Sequence, residues 1–528
     1  MGNNNLFKYI FGIVVFCLVV YTVYVIVQNR TEVSDNELDQ TSTLTNIQTD
    51  LRFGISELDT INPLLTNNRN VQEITKIMYD PLVTLNENYK LEYYLAEEIA
   101  KTDELSYVVK LRKGVLWEDN SNFTADDVKF TIDLIKSGIS PIYSENVKYI
   151  NDVEIIDSST VKINLSESVP FFEYNLTFPI MSSKYYEGED FVTSTKIPIG
   201  TGIFKISEVG SNIIKLVPNE VYWNSNRKPM ATEININLYN SIGECYQAFK
   251  NGEIDIITVK ITNIEDYIGS LGYNKIEYKS RDYDFITFNT TNGVLSNPAV
   301  RKAISLSIDK TNIVSSCLGK GYTPSNFSLD MGNWLYTKDL NIQVDTEQAS
   351  QILTNDGWER TSNSWQKRDE NGITRLAFTL AVNTNNQARV AVAENIRDQL
   401  ANLGIQVTIN YLSPEEYNDR ISARNYEAAI IGIKLGYSPN LNTFFGSGNI
   451  ANYSNDEVNE IMNVISNTTE ENILYEKYGR LYDIYLDEAP YIGLYRSTEF
   501  LVYNQGLVGN ITANTFNVFH NIEKWYRR

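Results

Sequence analysis

Between Tyr107 and Ile135 the chain reads YVVKLRKGVLWEDNSNFTADDVKFTIDLI, and within that stretch the spacing of apolar residues changes from twos to fours and threes. Tyr107, Val109 and Leu111 alternate with polar neighbours, the pattern of a strand with one buried face. Gly114 lets the chain turn ahead of Trp117. Thr124 stands where a side-chain oxygen accepts from the backbone near Asp127, and Asp126 and Asp127 sit where a helix dipole favours negative charge. Val128, Ile132 and Ile135 then share one face of a helix that Gly138 stops. A strand, a turn and a capped helix in succession commit the chain to α/β layers.

The alternation continues without internal repeat or heptad array. Asn297 caps a helix that starts on Pro298 and carries Val300, Ala303, Ile304 and Ile308 along one face. Asp345 opens another helix in a capping-box-like arrangement with Gln348. Val392, Ile396, Leu400 and Leu403 line a third that ends at Gly404, after which Ile405, Val407, Ile409 and Tyr411 alternate as a strand. At 528 residues the chain exceeds what one core supports, so two or three packed domains are expected.

The segment around Trp117 resembles the LR-G-V-x-W-x-D-G-x-x-F-T-A-x-D-V pattern of the extracytoplasmic solute-binding proteins, family 5, that serve peptide, oligopeptide and nickel ABC importers; Glu118 and Asn120 stand where that family often has His and Gly. Related stretches follow in order: DTINP (Asp59 to Pro63), YDPLV (Tyr79 to Val83), LAEE (Leu95 to Glu98), PIGTGIFKI (Pro198 to Ile206), NGEIDII (Asn251 to Ile257), the run from Asn297, and Asn385 to Ser454. The resemblance covers about Leu51 to the C-terminus. It implies a bilobal type II periplasmic-binding-protein-like fold of cluster C with an extra inserted domain. On that analogy residues 51–75, 196–281 and 488–528 form lobe I, 76–195 the inserted domain and 282–487 lobe II, with crossovers near Arg281 and Asp487 as the hinge.

Ahead of this body, Tyr9 to Val27 is a mostly apolar run long enough to cross a bilayer core, with Lys8 before it and acidic residues after Arg30. No Ala-x-Ala-like site follows, and Cys17 lies between Phe16 and Leu18, unlike a lipoprotein cysteine. Residues 1–28 are therefore read as an uncleaved single-pass membrane anchor with the bulk of the chain extracellular. Residues 29–50 are polar and acidic and are expected to form a flexible stalk. The net charge of −21 argues against nucleic acid or anionic lipid as partners.

Composition also limits the chemistry. There is one histidine, His520, and no G-x-S-x-G stretch, so Ser-His-Asp and Cys-His catalysis lack their parts. Cys245 and Cys317 have no Cys or His at ligand spacing, which leaves no zinc set; each is expected to be a buried free thiol. Gly200 and Gly202 lack the remaining glycines and the lysine of a phosphate loop and read as a backbone turn. Paired carboxylates are the only enzymatic apparatus left, and pairs such as Glu97 and Glu98 arise readily in so acidic a chain. The expectation is a non-enzyme without cofactor. The 35 tyrosines suit a cleft, but a general bias toward Asn, Ile and Tyr explains them equally.

The resemblance implies a receptor that captures short peptides, or a similar small solute, by hinge closure and delivers them to an ABC permease with its ATPase. Two rivals stand beside it: a sensory receptor with the same cleft, and an anchored hydrolase using paired carboxylates. Carried over residue by residue, the implied ligand site comprises Asn67 and Arg69 after DTINP, Tyr283, Asp284 and Phe285 in YDFITFN, Asn383 and Asn385, and Lys434, Gly436, Tyr437 and Ser438 in KLGYS. One departure matters. Peptide-binding relatives place an acid just before the aromatic of the last segment, where it pairs with the ligand's α-ammonium, and here that position is Gly436. Either another acid such as Asp284 substitutes, or the ligand is not an ordinary peptide.

Overall fold

Two long strands, Tyr273–Phe288 and Tyr491–Asn504, run antiparallel through the middle of an eleven-stranded sheet and belong to both of its halves. The structure is a computed structural model that describes residues 49–528, apart from 261–263, 270, 292, 339, 341 and 371. On one side the long pair continues into Ile256–Val259, Asp50–Ser56, Glu233–Tyr239, Ile213–Pro218 and Phe204–Val209. On the other it continues into Ala428–Lys434, Ala377–Asn383 and Gln406–Leu412. Strand Asp50–Ser56 pairs in parallel with Glu233–Tyr239, and Ala377–Asn383 with Gln406–Leu412, so helices return over the faces as the alternating sequence requires.

The register of the long pair shifts twice near its centre, once between Lys279 and Tyr283 and once between Asp284 and Phe285, and the first shift is the larger. Lys279 opposes Thr498 and Tyr283 opposes Arg496, so Ser280, Arg281 and Asp282 face Ser497 alone. Such a bulge bends a strand and redirects its side chains. Residues 491–496 pair with 283–287 beyond the bulge, so the second long strand passes it at Ser497. Periodicity marks a strand without naming its partner, so this register was not legible in the sequence.

The residues between the first and second strands of the large sheet add a separate four-stranded sheet, ordered Ala96–Asp103, Ser106–Leu111, Thr160–Leu165, Ile150–Asp157, with helix Ala125–Lys136 packed against it. The cap there is fuller than the spacing suggested. Asp127 accepts the backbone N–H of Thr124 at 2.8 Å, Trp117 Nε1 at 3.1 Å and Ser183 N–H at 2.8 Å, tying strand, turn and helix to one carboxylate. This sheet and the Asp50–Val209 half of the large one share a single apolar core, in which Phe53, Val109, Trp117 and Val128 are all buried. The other half of the large sheet has a core on each face, one around Tyr283, Phe285 and Tyr478 and one around Ile286, Val300 and Val392.

Helix Pro298–Ser307 starts with Asn297 accepting from Ala299 N–H, and helix Gln387–Leu403 ends at Gly404 with φ 85°. The following strand is Gln406–Leu412 at the sheet edge, where Val407 and Ile409 are half-buried and Tyr411 is exposed, less buried than its alternation suggested. Gly200 and Gly202 are fixed by close approach: a Cβ on Gly202 would lie 2.4 Å from the Met78 carbonyl carbon. Cys245 is buried, whereas Cys317 is only half-buried. The run Tyr9–Val27 and the stalk up to residue 48 lie outside the described residues, among which no helix is long and apolar enough to cross a membrane.

Candidate ligand-binding site

The bulge at Ser280–Asp282 fixes the loop that leaves strand Ala428–Lys434. Leu435 N–H donates to the Arg281 carbonyl and Arg281 Nε donates to the Leu435 carbonyl, each at 2.9 Å. With its neighbour buttoned down in this way, Tyr437 lies under the Arg281 guanidinium, 5.0 Å from ring centre to Cζ. The far edge of the Tyr437 ring meets Phe516 at 5.6 Å, and Phe516 meets Tyr89 edge-on at 4.5 Å. Three distant stretches of chain thus converge: the strand-following loop, the C-terminal segment and the turn after Val83–Leu85.

Two small cavities flank this convergence, and Tyr437 lines both. One, of about 90 Å³, is walled by Lys76, Asp80, Tyr143 and Phe516. Helix Arg69–Thr75 and its C-cap Lys76 place Arg69, Glu73 and Lys76 on one face by their spacing of four and three. Lys76 Nζ donates to both Glu73 oxygens and to the Phe516 carbonyl, all at 2.8 Å. Burial pushes the Asp80 carboxyl up to about 7, against the hydrogen bond it accepts from Trp223 Nε1 at 2.8 Å. The other cavity, of about 100 Å³, is walled by Tyr89, Arg281, Asp330, Asn333 and residues 433–438. Burial pushes the Arg281 guanidinium below the usual arginine range, with Asp330 opposing that shift and Arg496 adding to it.

The structure spreads the expected site residues over several places. Lys434, Gly436, Tyr437 and Ser438 line the second cavity together. Arg69 sits beyond the bulge, paired with Glu499 at 2.8 Å. Asn67 is exposed, its N–H held by Asp59 at 2.6 Å. Tyr283 and Phe285 are fully buried and stack on each other in the core, lining neither cavity. Asp284 points to the opposite face of the sheet from Tyr283, as strand alternation demands. There it accepts from Arg389 Nε at 2.5 Å and from the Tyr495 hydroxyl at 3.3 Å. Asn383 and Asn385 form the turn into the helix that carries Arg389, and line neither cavity. Asp284 is therefore already matched by a cation and lines neither cavity beside Tyr437.

Sequence reading missed Arg281, Asp330, Asn333, Tyr89 and Phe516 as cavity residues. The one signal for Arg281 was a charged residue inside an otherwise apolar strand pattern; the others stand in loops whose neighbours are set by the fold alone. Among the described residues no cluster of His, Cys, Asp and Glu is arranged to hold a metal ion. His520 Nδ1 lies 3.0 Å from the Thr512 hydroxyl and lines neither cavity beside Tyr437.

A large mixed sheet built around a bulged strand pair, with cavities lined by Tyr437 beside the bulge, is an α/β architecture. Residues 90–454 match the family described as bacterial extracellular solute-binding proteins, family 5 middle, and the chain belongs to that family. Among curated relatives, it is 24% identical over 500 residues to the oligopeptide-binding protein AppA of Bacillus subtilis, covering 89% of this chain and 90% of the relative. It is 23% identical to the glutathione-binding protein GsiB of Escherichia coli O1:K1, covering 86% and 90%. Among solved structures, HbpA2 of Haemophilus parasuis superposes with a TM-score of 0.75 at 21% identity, covering 91% of this chain and 100% of that one.

Proposed function

We propose that this chain is the capture component of an ABC importer for short peptides or a similar small solute, held outside the cell membrane by the run Tyr9–Val27 and handing its cargo to a permease. Its family, and the names of relatives that bind oligopeptides and glutathione, support the class. The observation that carries the reading for this chain is the Tyr437 loop, which is bonded to the bulge at Arg281 and faces Lys76 and Phe516 across the crevice. Residues 51–75 and 196–281 form one jaw with the C-terminal segment, residues 76–195 extend it, and residues 282–487 form the other.

Closure is driven by contacts that cargo makes only when the jaws meet, and the bulge at residues 280–282 opposite Ser497 is where the connecting strands flex. Moving such an equilibrium from 1:99 to 99:1 takes a preference of about 10⁴-fold for the closed form. The test is mass spectrometry of compounds that co-purify with the full-length protein, followed by small-angle scattering on adding the compound found. A short peptide recovered unaltered, with contraction on binding, is the expected result. Turnover of the compound, or a scattering curve indifferent to every recovered compound, would overturn the reading.

A further inference from the structure

Apart from Asp80, whose donor is the Trp223 indole, the acids around the crevice are matched by cations. Glu73 is held by Lys76 at 2.8 Å, Glu499 by Arg69 at 2.8 Å and Asp284 by Arg389 at 2.5 Å, and half-exposed Asp282 lies 3.8 Å from Lys260. Asp330 is bonded to Arg496, which is 1% exposed. Arg281 reaches the same carboxylate only at 3.9 Å, beyond hydrogen-bond distance. One negative charge thus serves two buried guanidiniums, leaving a positive excess at the crevice wall.

Arg281 is 7% exposed, and its single hydrogen bond among the described residues is the one from Nε to Leu435. Arg281 lines the cavity, and among the described residues its two terminal nitrogens have no acceptor within hydrogen-bond distance, Asp330 lying 3.9 Å from Nη1. Asn333, 5% exposed, lines the same wall. Its Oδ1 accepts from Leu335 N–H at 2.9 Å, which fixes the amide's orientation and leaves Nδ2 without an acceptor. Opposite them, Gly436 presents no side chain: the nearest atom to a Cβ placed there is Ser438 N at 4.0 Å. A guanidinium and an amide with unused donors, both lining a cavity of about 100 Å³, can give charge-assisted and neutral hydrogen bonds to an acceptor placed there.

Resting on the capture reading above, we infer that the crevice between Arg281, Asn333 and the Gly436–Tyr437 turn is a carboxylate-binding subsite, so that the solute is anchored here by an acidic group instead of an ammonium. Arg281 offers two parallel N–H groups, the fork that matches a carboxylate, and Asn333 Nδ2 supplies a further donor. The cavity's size suits one acidic end group and a few attached carbons. That group is either the C-terminal carboxylate of a peptide or an acidic side chain or small dicarboxylate.

Equilibrium dialysis of the full-length protein, read by mass spectrometry, tests this with four probes: a random tripeptide pool with free ends, the same pool C-terminally amidated, the same pool N-acetylated, and succinate. The free-acid pool is expected to be retained roughly ten- to a hundredfold better than the amidated pool, the worth of charge-assisted hydrogen bonds, while N-acetylation changes little. Amidated peptides retained only when they contain Asp or Glu identify a side-chain source and also support the subsite. Succinate retained in place of all peptides supports the subsite and removes peptides as cargo. Arg281→Gln should abolish the acid preference. Gly436→Asp, whose Cβ would have nothing nearer than Ser438 N at 4.0 Å, should weaken retention of acids and favour free amines. Equal retention of acid and amidated pools, or retention of no carboxylate compound, would overturn the inference. In the first of these cases the capture reading survives, because peptides are still held.

Discussion

Asp80 is a carboxyl group enclosed at 3% exposure with one indole N–H as its nearest donor. Its folded-state value of about 7 stands against 3.8 for the free group, so between those two values the folded protein holds a proton that the unfolded chain has released. Stability therefore falls as pH rises through that window and is flat above it. Asp80→Asn keeps an acceptor for Trp223 and removes the charge. The variant should match the parent near pH 4 and exceed it at pH 8 by roughly 2–4 kcal/mol, seen as a higher thermal midpoint at pH 8 alone. At this scale the sequence was partly legible. The Lys434–Ser438 turn was recognisable because its residues are contiguous, whereas Arg281 owes its position to pairing with a residue more than two hundred positions away, and the partner of Asp284, Arg389, comes from a separate helix that periodicity does not place beside it. Even Gly432 serves that pair, since a Cβ there would lie 1.6 Å from Arg389 Nη2.

Helix Glu471–Glu488 shows what the abundant tyrosines do. Tyr478, Tyr482 and Tyr485 follow the spacing of one helical face, and their hydroxyls donate to three loop carbonyls: Pro439 at 2.7 Å, Leu335 at 2.9 Å and Asn326. Those loops carry Ser438, Asn333 and Asp330, so the helix holds one wall of the crevice without touching its contents. Tyr478→Phe or Tyr482→Phe strands a buried carbonyl, and each should cost about 1–2 kcal/mol in urea unfolding. Cargo affinity measured by calorimetry should fall as well; unchanged affinity would mean the loops hold themselves. The helical spacing was visible in the sequence, but the carbonyls it serves were not. Gly202 is a second case. Its backbone N–H donates to Met78 at 2.8 Å, and Gly202→Ala should destabilise by about 1–3 kcal/mol through overpacking against that backbone.

For the molecule as a whole, local patterning predicted α/β layers and the helix ends. Sequence periodicity cannot show that both connecting strands are shared by the two halves of one sheet, because strand pairing is decided by tertiary packing. That sharing has a consequence. The strands Tyr273–Phe288 and Tyr491–Asn504 form a hydrogen-bonded ladder on either side of residues 280–282, and those three residues stand opposite one. In deuterated solvent, protection should therefore drop over Ser280–Asp282 and Ser497 while the flanking amides stay slow to exchange. Adding cargo should slow this short window more than any other part of the sheet, which would make a few backbone protons a direct readout of occupancy.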